Sequence, residues 1–185
     1  MESTEKYERL RQSKNIATVG CIGLVVVLIL LYMIGIAIVG ADLRRSQSEA
    51  IGALGRMRSQ IEKAPGVLER MLEYGCGIAS ESEITELKNR VEKLGDKSTY
   101  SEFVKVQELV DSVRAHIEPY CGKFSNDAGF LDLKTELEGV NNRYFVELGK
   151  YRELATAYNL KLESFPGSLL RNKYKELESG GAVSE

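Results

Sequence analysis

The chain begins with a short polar tail, residues 1–15, and continues with an uninterrupted apolar run from Ile16 to Ala41. This run holds no charged residue and is rich in Ile, Val and Leu. As a helix it would measure about 39 Å, which exceeds the hydrocarbon layer of a bilayer, about 30 Å thick. A cleaved signal peptide usually has an apolar region of only about 7 to 15 residues and a small-residue cleavage site. We therefore predict an uncleaved transmembrane helix over residues 16–41.

Beyond this run, apolar residues recur at alternating spacings of three and four, which is typical of amphipathic helices. The first such face predicts a helix from Asp42 to about Ala64. Pro65 favours the first turn of a new helix, because its missing N–H would be unpaired there in any case. A single kinked helix that continues through Pro65 is the alternative. The face consists of Leu43, Ala50, Leu54, Met57, Ile61 and Ala64, with Gln47 at the missing position.

A second apolar face predicts a returning helix that ends at Gly95, the residue type favoured just past a helix end. The glycines on either side of Cys76 weaken this helix by about 2 kcal/mol relative to alanine. A local break there, with Ser80 or Ser82 as the new cap, is therefore the alternative. The face consists of Val67, Leu68, Met71, Leu72, Ile78, Ile84, Leu87, Val91 and Leu94.

Two more helices follow. The third is predicted from about Ser98 to Glu118, and a loop around Pro119 separates it from the fourth, for which Asn126 or Asp127 is the expected N-cap. The fourth has the clearest pattern, with steps of three and four along its whole length. The two faces are, in order, Phe103, Val106, Leu109, Val110, Val113 and Ile117, and then Phe130, Leu133, Leu137, Val140, Tyr144, Leu148, Tyr151, Ala155, Tyr158 and Leu162.

No strand-like alternation of useful length competes with these helical patterns. The sequence therefore predicts an all-α protein with an N-terminal transmembrane helix and an elongated antiparallel four-helix bundle over residues 42–166. In an up-and-down order the fourth helix returns to the membrane. This order places Phe165 and Pro166 where the bundle meets its anchor.

The remaining tail, residues 167–185, combines apolar and cationic side chains. A frayed terminus is the default expectation for a chain end. A short amphipathic helix that rests on lipid headgroups is the alternative, because the predicted topology brings the tail back to the bilayer. Its apolar residues are Leu169, Leu170, Tyr174 and Leu177, and its cations are Arg171, Lys173 and Lys175.

The segment LKTELEGVNNRYFVELGKYRELATAYNLKLESFP, from Leu133 to Pro166, resembles the last long helix of the LemA family, approximately LxxELxxTENRIAxARxxYNxxVxxYNxxIxxFP. Upstream, APGVLERMLEYG is similar to the family's IPNLVETVKGYA and puts Pro65, Glu69 and Tyr74 in register. In the long segment the matching residues are Leu133, Glu136, Leu137, Asn142, Arg143, Tyr151, Tyr158, Asn159, Phe165 and Pro166.

The chain departs from the family pattern at Asn141, Leu148 and Arg152, which replace a glutamate, an arginine and an asparagine. It is identified as a divergent member. The resemblance implies a membrane-anchored antiparallel helical bundle. Because the family is linked to envelope functions and includes relatives in magnetosome membranes, the resemblance also implies scaffolding or membrane organisation. It supplies no catalytic residues.

Several motif residues are candidates for interaction. Asn142 and Arg143 match the family but lie off the apolar stripe, so contacts between subunits are the expectation for them. For the tyrosines on the stripe we expect core positions whose hydroxyls reach solvent or a buried polar partner, and a surface for a partner helix is the alternative. The full candidate set is Pro65, Tyr74, Asn142, Arg143, Tyr151, Tyr158, Asn159, Phe165 and Pro166.

Metal and thiol chemistry have few candidate residues. His116 is the only histidine, and pairing the second and third helices would bring Cys76 and Cys121 near it. A Cys/Cys/His metal site is one alternative, but the close ligand clusters of ordinary zinc sites are missing. A disulfide is another. Because the estimated positions differ by about one turn, roughly 6 Å, we expect two unpaired buried thiols.

Charge and motif content point away from catalysis. A net charge of -2 and a pI near 5.7 give no basic footprint for a nucleic acid. There is no nucleophile elbow, phosphate-binding loop or dinucleotide fingerprint. We therefore predict a non-enzymatic scaffold without catalytic, metal or cofactor residues, whose partners are the lipid bilayer, further copies of itself and unidentified proteins. A ligand-binding sensory bundle that signals through a partner is the alternative.

The distribution of cations slightly favours a bundle on the external or periplasmic side. More cations lie before the apolar run than directly after it, and the positive side of a span tends to be cytoplasmic. Extending the window to Arg58 equalises the counts, so the cytoplasmic side stays the alternative. The cations before the run are Lys6, Arg9, Arg11 and Lys14, and those directly after it are Arg44 and Arg45.

Overall fold

The computed structural model describes residues 2–76, 81–95 and 98–180, and every regular element in this part of the chain is a helix. The predicted all-α class is confirmed. The α-helices are α1 (Glu2–Ile61), α2 (Ala64–Glu73), α3 (Glu81–Lys93), α4 (Tyr100–Ile117) and α5 (Ala128–Glu163), and the 3₁₀-helices are Glu118–Phe124 and Gly167–Leu170.

Helix α1 is unbroken and contains both the apolar run and the first part of the bundle. Its 60 residues give it a length of about 90 Å. An 18-residue window in it has a mean hydropathy of 3.1, and none of that window is buried. Among the described residues, one helix is thus long and apolar enough to cross a membrane. The helical boundary predicted near Asp42 is wrong, since α1 continues through that residue without a turn.

Helix α2 continues in the direction of α1. A turn at Glu62 and Lys63 separates the two, and Pro65 lies in the first turn of α2, as predicted. Arg56 of α1 pairs with Glu147 (2.6 Å) and Arg70 of α2 pairs with Glu136 (2.8 Å), so both helices run antiparallel to α5. The predicted reversal of the chain at Pro65 is wrong, and the alternative of a kinked continuation describes the fold.

The chain reverses instead between α2 and α3. This is the place, beside Cys76, where the sequence offered a break in the second predicted helix as the alternative. Gly75 has φ +81°, a conformation that side-chain-bearing residues rarely adopt. Ser82 lies within the first turn of α3 and is not its cap. The other proposed cap, Ser80, and the apolar position Ile78 lie outside the described residues.

Helices α3 and α4 form a hairpin beside only part of α5. In this hairpin His116 of α4 lies 2.9 Å from Glu83 of α3, while Lys88 of α3 pairs with Glu69 of α2 at 2.7 Å. Helix α4 begins at the level of Tyr151, on which Tyr100 stacks at 5.4 Å. Four helices therefore pack side by side only at the end of the bundle away from the apolar run. We call this the distal end.

The apolar stripe of α5 is buried as predicted at each of its positions. Asp127 caps this helix by accepting the N–H of Phe130 at 3.0 Å, also as expected. On α1, Ala53 is fully buried where Leu54 was predicted, and Leu54 packs at the edge of the core. Leu72 and Leu109 are likewise only partly buried.

The tail folds back over the bundle at the end next to the apolar run, which we call the proximal end. Its residues Leu170, Tyr174 and Leu177 pack with α1 and α5 around Leu43 and Tyr158. These side chains are turned inward. The prediction of a frayed terminus is therefore wrong for residues 167–180. Of the apolar side chains assigned to an amphipathic helix, Leu170, Tyr174 and Leu177 face the bundle and Leu169 is exposed, so contact of the tail with lipid stays a prediction.

Candidate functional site

The candidate motif residues are divided among separate regions of the fold. Asn142 and Arg143 lie on the exposed side of α5. The guanidinium Nε of Arg143 donates to the carbonyl of Gly139 in its own helix at 2.9 Å. Beside them, Phe145 and Val146 are exposed apolar side chains. The role of Asn142 and Arg143 in subunit contacts stays a prediction, but they border an apolar surface.

The tyrosines of the α5 stripe are core residues. The hydroxyl of Tyr144 donates to the carbonyl of Phe103 on α4 at 3.3 Å, and that of Tyr158 donates to the carbonyl of Lys175 in the tail at 3.0 Å. Tyr151 stacks on Tyr100, whose hydroxyl accepts a hydrogen bond from Arg152 at 2.8 Å. These tyrosines therefore fix neighbouring segments to α5.

Burial of the phenols has a consequence at alkaline pH. Desolvation raises the pKa of Tyr151 to about 12, and it raises the pKa of Tyr144 and Tyr158 as well. Since an unfolded tyrosine ionises near pH 10, the stability held by Tyr151 is complete below that pH and is lost as the pH rises towards 12.

We predict that the free energy of unfolding falls by about 1 kcal/mol per pH unit near pH 11 for Tyr151 alone. Denaturant titrations between pH 9 and 12 would measure the slope. Tyr151→Phe should make it shallower, whereas Tyr120→Phe, which alters an exposed phenol, should not. Equal slopes in all three proteins would contradict the assignment.

Asn159 fastens the tail. Its side-chain amide donates to the carbonyl of Leu177 at 2.8 Å, and its side-chain oxygen accepts the N–H of the same residue at 2.9 Å. Farther along, the carboxylate of Glu178 accepts the N–H of Ser101 at 3.1 Å. The Tyr158 and Asn159 pair, a candidate interaction motif, thus makes contacts within the chain.

Replacing Asn159 by alanine should release residues 175–180 and lower the free energy of unfolding by about 1–3 kcal/mol, since two hydrogen bonds are lost. Hydrogen exchange of the tail amides would detect the release. The matched control is Asn142→Ala, the same substitution on the exposed side of the same helix. If the tail amides exchanged equally slowly in both variants, Asn159 would not hold the tail against α5.

The distal end contains Tyr74 in an aromatic cluster. The Tyr74 ring lies edge-on to Phe124 (5.8 Å) and Phe130 (6.2 Å), and its hydroxyl fills the space where a Cβ at Gly129 would stand. Pro65 is buried at the start of the same helix. Both residues therefore serve local packing of α2.

Cys76 and Cys121 form a disulfide, with their Cα atoms 4.7 Å apart. The prediction of two unpaired thiols is wrong, because it assumed an unbroken second helix. The break after α2 and the 3₁₀-helix Glu118–Phe124 remove the estimated offset. The bridge joins the end of α2 to the segment that follows α4.

The alternative Cys/Cys/His metal site does not fit this geometry. Both cysteine sulfurs are bonded to each other, and His116 is largely exposed and paired with Glu83. Within the described ranges, no group of three or more His, Cys, Asp or Glu side chains is arranged to hold a metal ion.

An open groove of about 490 Å³ lies between α2 and α5 at the distal end. Arg70 and Glu136, which border it, are paired with each other at 2.8 Å. Tyr74 and Leu133 supply its apolar part. The groove is open and shallow, and Glu73 and Asp132 leave its lining with an excess of negative charge. It provides no arrangement of groups aimed at a reacting atom.

One buried polar contact has no counterpart among the predicted sites. Gln107 of α4 is buried, and its amide donates to Asn141 of α5 at 2.7 Å and to Asp111 at 3.2 Å. Gln107 falls in the helical phase of the α4 stripe, one residue after Val106. The periodicity of α4 therefore indicated that Gln107 would be buried. Its hydrogen bond to Asn141 could not be predicted, because it depends on how α4 and α5 are aligned.

Comparison with known proteins gave no match: no family model fits the chain, and no curated protein or solved structure is similar to it. A functional assignment therefore depends on the fold and on the contacts described above.

Proposed function

We propose that this protein is a non-enzymatic membrane-anchored scaffold, a divergent relative of the LemA family, that self-assembles through its helical bundle and organises a membrane or envelope. The observation that carries the proposal is the continuity of α1. An exposed apolar segment passes without a turn into a bundle helix. Because a helix transmits position and rotation along its axis, an anchor built in this way holds the bundle in a defined orientation.

A surface for self-assembly is offered by the exposed side of α5, which we call the α5 outer face. Apart from the adjacent pair Phe145 and Val146, its residues are separated by three, four or eleven positions, which correspond to about one and three helical turns. Copies anchored in one membrane would run parallel, so each residue would meet its own counterpart. The face consists of Leu131, Asn142, Phe145, Val146, Gly149 and Leu160, all exposed.

We further propose that the bundle lies on the external or periplasmic side. The disulfide supports this side, since such bonds persist in oxidising compartments and are rare in the cytosol. The slight excess of cations before the apolar run agrees with it.

Self-assembly is tested by sizing the detergent-solubilised protein and by crosslinking in membranes. We expect an oligomer whose size falls to that of a monomer when Phe145 and Val146 are both replaced by serine. Tyr120→Ser, at an exposed aromatic residue of the distal end, is the control and should leave the oligomer intact. A wild-type monomer without any crosslinked partner would refute the scaffold.

The compartment is tested by counting thiols in membranes that are denatured in the presence of a maleimide reagent of high mass. The chain has three cysteines. With the disulfide formed in cells, one thiol, that of Cys21, should react before reduction and three after it. Three reactive thiols without reduction would argue for the cytoplasmic side.

A further inference from the structure

The turn that follows α5 leaves two apolar side chains exposed at the proximal end, although the tail covers their neighbours. Phe165 is 76% exposed and Leu169 is 48% exposed. Both belong to the turn that follows α5, and Leu169 lies in the 3₁₀-helix Gly167–Leu170. Exposed aromatic and aliphatic residues in one short turn at the end of a bundle indicate a surface that contacts another apolar phase.

Contacts with α1 fix the position of this turn along the axis of that helix. Tyr174 donates its hydroxyl to the carbonyl of Gly40 at 3.0 Å, and Leu170 lies 3.6 Å from the place where a Cβ at Gly40 would stand. On the other side, a Cβ at Gly167 would overlap the carbonyl oxygen of Lys161, so the turn is held against the end of α5. The turn therefore lies level with the end of the apolar run of α1.

Cationic residues lie within a few positions of the two apolar side chains in the sequence, as does the carboxylate of Glu163. Lys161 lies 2.9 Å from Asp42, the first charged residue after the apolar run. Arg171 pairs with Glu176, and the ammonium of Lys173 lies 5.8 Å from the ring centre of Tyr174. Apolar and aromatic side chains bordered by Lys and Arg are the composition of protein surfaces at the headgroup level of a bilayer.

We propose that Phe165 and Leu169 insert into the headgroup and acyl-chain boundary of the membrane that α1 crosses, with Lys161, Arg171 and Lys173 facing lipid phosphates. The inference rests on the proposed function in one respect, that α1 spans a bilayer. Given that span, the contacts with Gly40 bring the turn to the lipid surface. This turn, which we call the lipid wedge, gives the bundle a second point of attachment beside α1 and restricts the tilt of the bundle relative to the bilayer.

The absence of tryptophan from the sequence allows a direct test. Single tryptophans are introduced at Phe165, at Leu31 within the apolar run and at Tyr120, an exposed aromatic residue at the distal end. Each full-length variant is reconstituted into vesicles of phosphatidylcholine and phosphatidylglycerol, with or without bromine on the acyl chains. Bromine quenches a tryptophan only at close range, so the loss of emission reports contact with lipid.

We expect that bromine lowers the emission of Leu31→Trp and Phe165→Trp and leaves that of Tyr120→Trp unchanged. Leu169→Trp provides an independent second reporter and should behave like Phe165→Trp. Quenching at residue 31 without quenching at 165 and 169 would overturn the lipid wedge while the anchor stands. Absence of quenching at residue 31 would overturn the anchor itself and the wedge with it. Equal quenching at 165 and 120 would also overturn the wedge, because the whole bundle would then lie on the membrane.

Discussion

Breaking the disulfide between Cys76 and Cys121 should lower the free energy of unfolding by about 4 kcal/mol, because the bridge restricts the unfolded chain. The two cysteines are 45 positions apart, so a long loop gains freedom when the bridge is removed. The measurement is a urea titration of the full-length protein in detergent, with Cys76 and Cys121 both replaced by serine. Reduction of the wild-type protein should have a similar effect.

The matched control for this experiment is Cys21→Ser, which removes the third cysteine and keeps the bridge. Its unfolding midpoint should stay at the wild-type value and should still respond to reductant. If the double serine variant were as stable as this control, the bridge would not form in solution, and the support it gives to an external bundle would disappear.

Truncating Tyr144 to alanine should lower the free energy of unfolding by about 3–5 kcal/mol, because a large aromatic side chain leaves a cavity in a packed core. Tyr144 is among the most buried large side chains of the described part of the chain, at the point where α5 meets α4. The same urea titration measures the loss.

Two further variants show how much of the loss in unfolding free energy comes from packing and how much from the hydrogen bond of Tyr144. Tyr144→Phe keeps the ring and loses only the hydrogen bond to Phe103, so a loss of about 1 kcal/mol is expected. Tyr120→Ala removes an exposed ring outside the α5 outer face and should change stability by less than about 0.5 kcal/mol. Equal losses for Tyr144→Ala and Tyr120→Ala would contradict the burial of Tyr144 in the core.

The buried faces of the helices could be predicted because they depend on short-range periodicity. A side chain three or four positions away lies on the same side of a helix whatever surrounds it. The stripe of α5 therefore matches the prediction throughout, and so does its cap at Asp127. The shift from Leu54 to Ala53 on α1 shows the limit, since two neighbouring positions can point towards the core and their partners decide which is covered.

Reversals of the chain were harder to predict because several residue types can end or kink a helix. Pro65 is compatible with a reversal and with a continued helix, and its own chemistry does not distinguish them. The reversal occurs near Gly75, which supplies a left-handed conformation. The break at this point also changed the relative positions of Cys76 and Cys121, which had been estimated for an unbroken second helix.

Sequence alone determined that the chain is helical, which faces of its helices are apolar, and that one segment is apolar and long enough to cross a bilayer. These properties follow from local geometry and composition, and they need no knowledge of distant residues. Only the tertiary structure decided that α2 prolongs α1, that Cys76 meets Cys121, and that the tail turns inward and leaves Phe165 exposed. Those outcomes depend on contacts between residues far apart in the chain, and the free energies of the alternatives differ by less than local patterns can resolve.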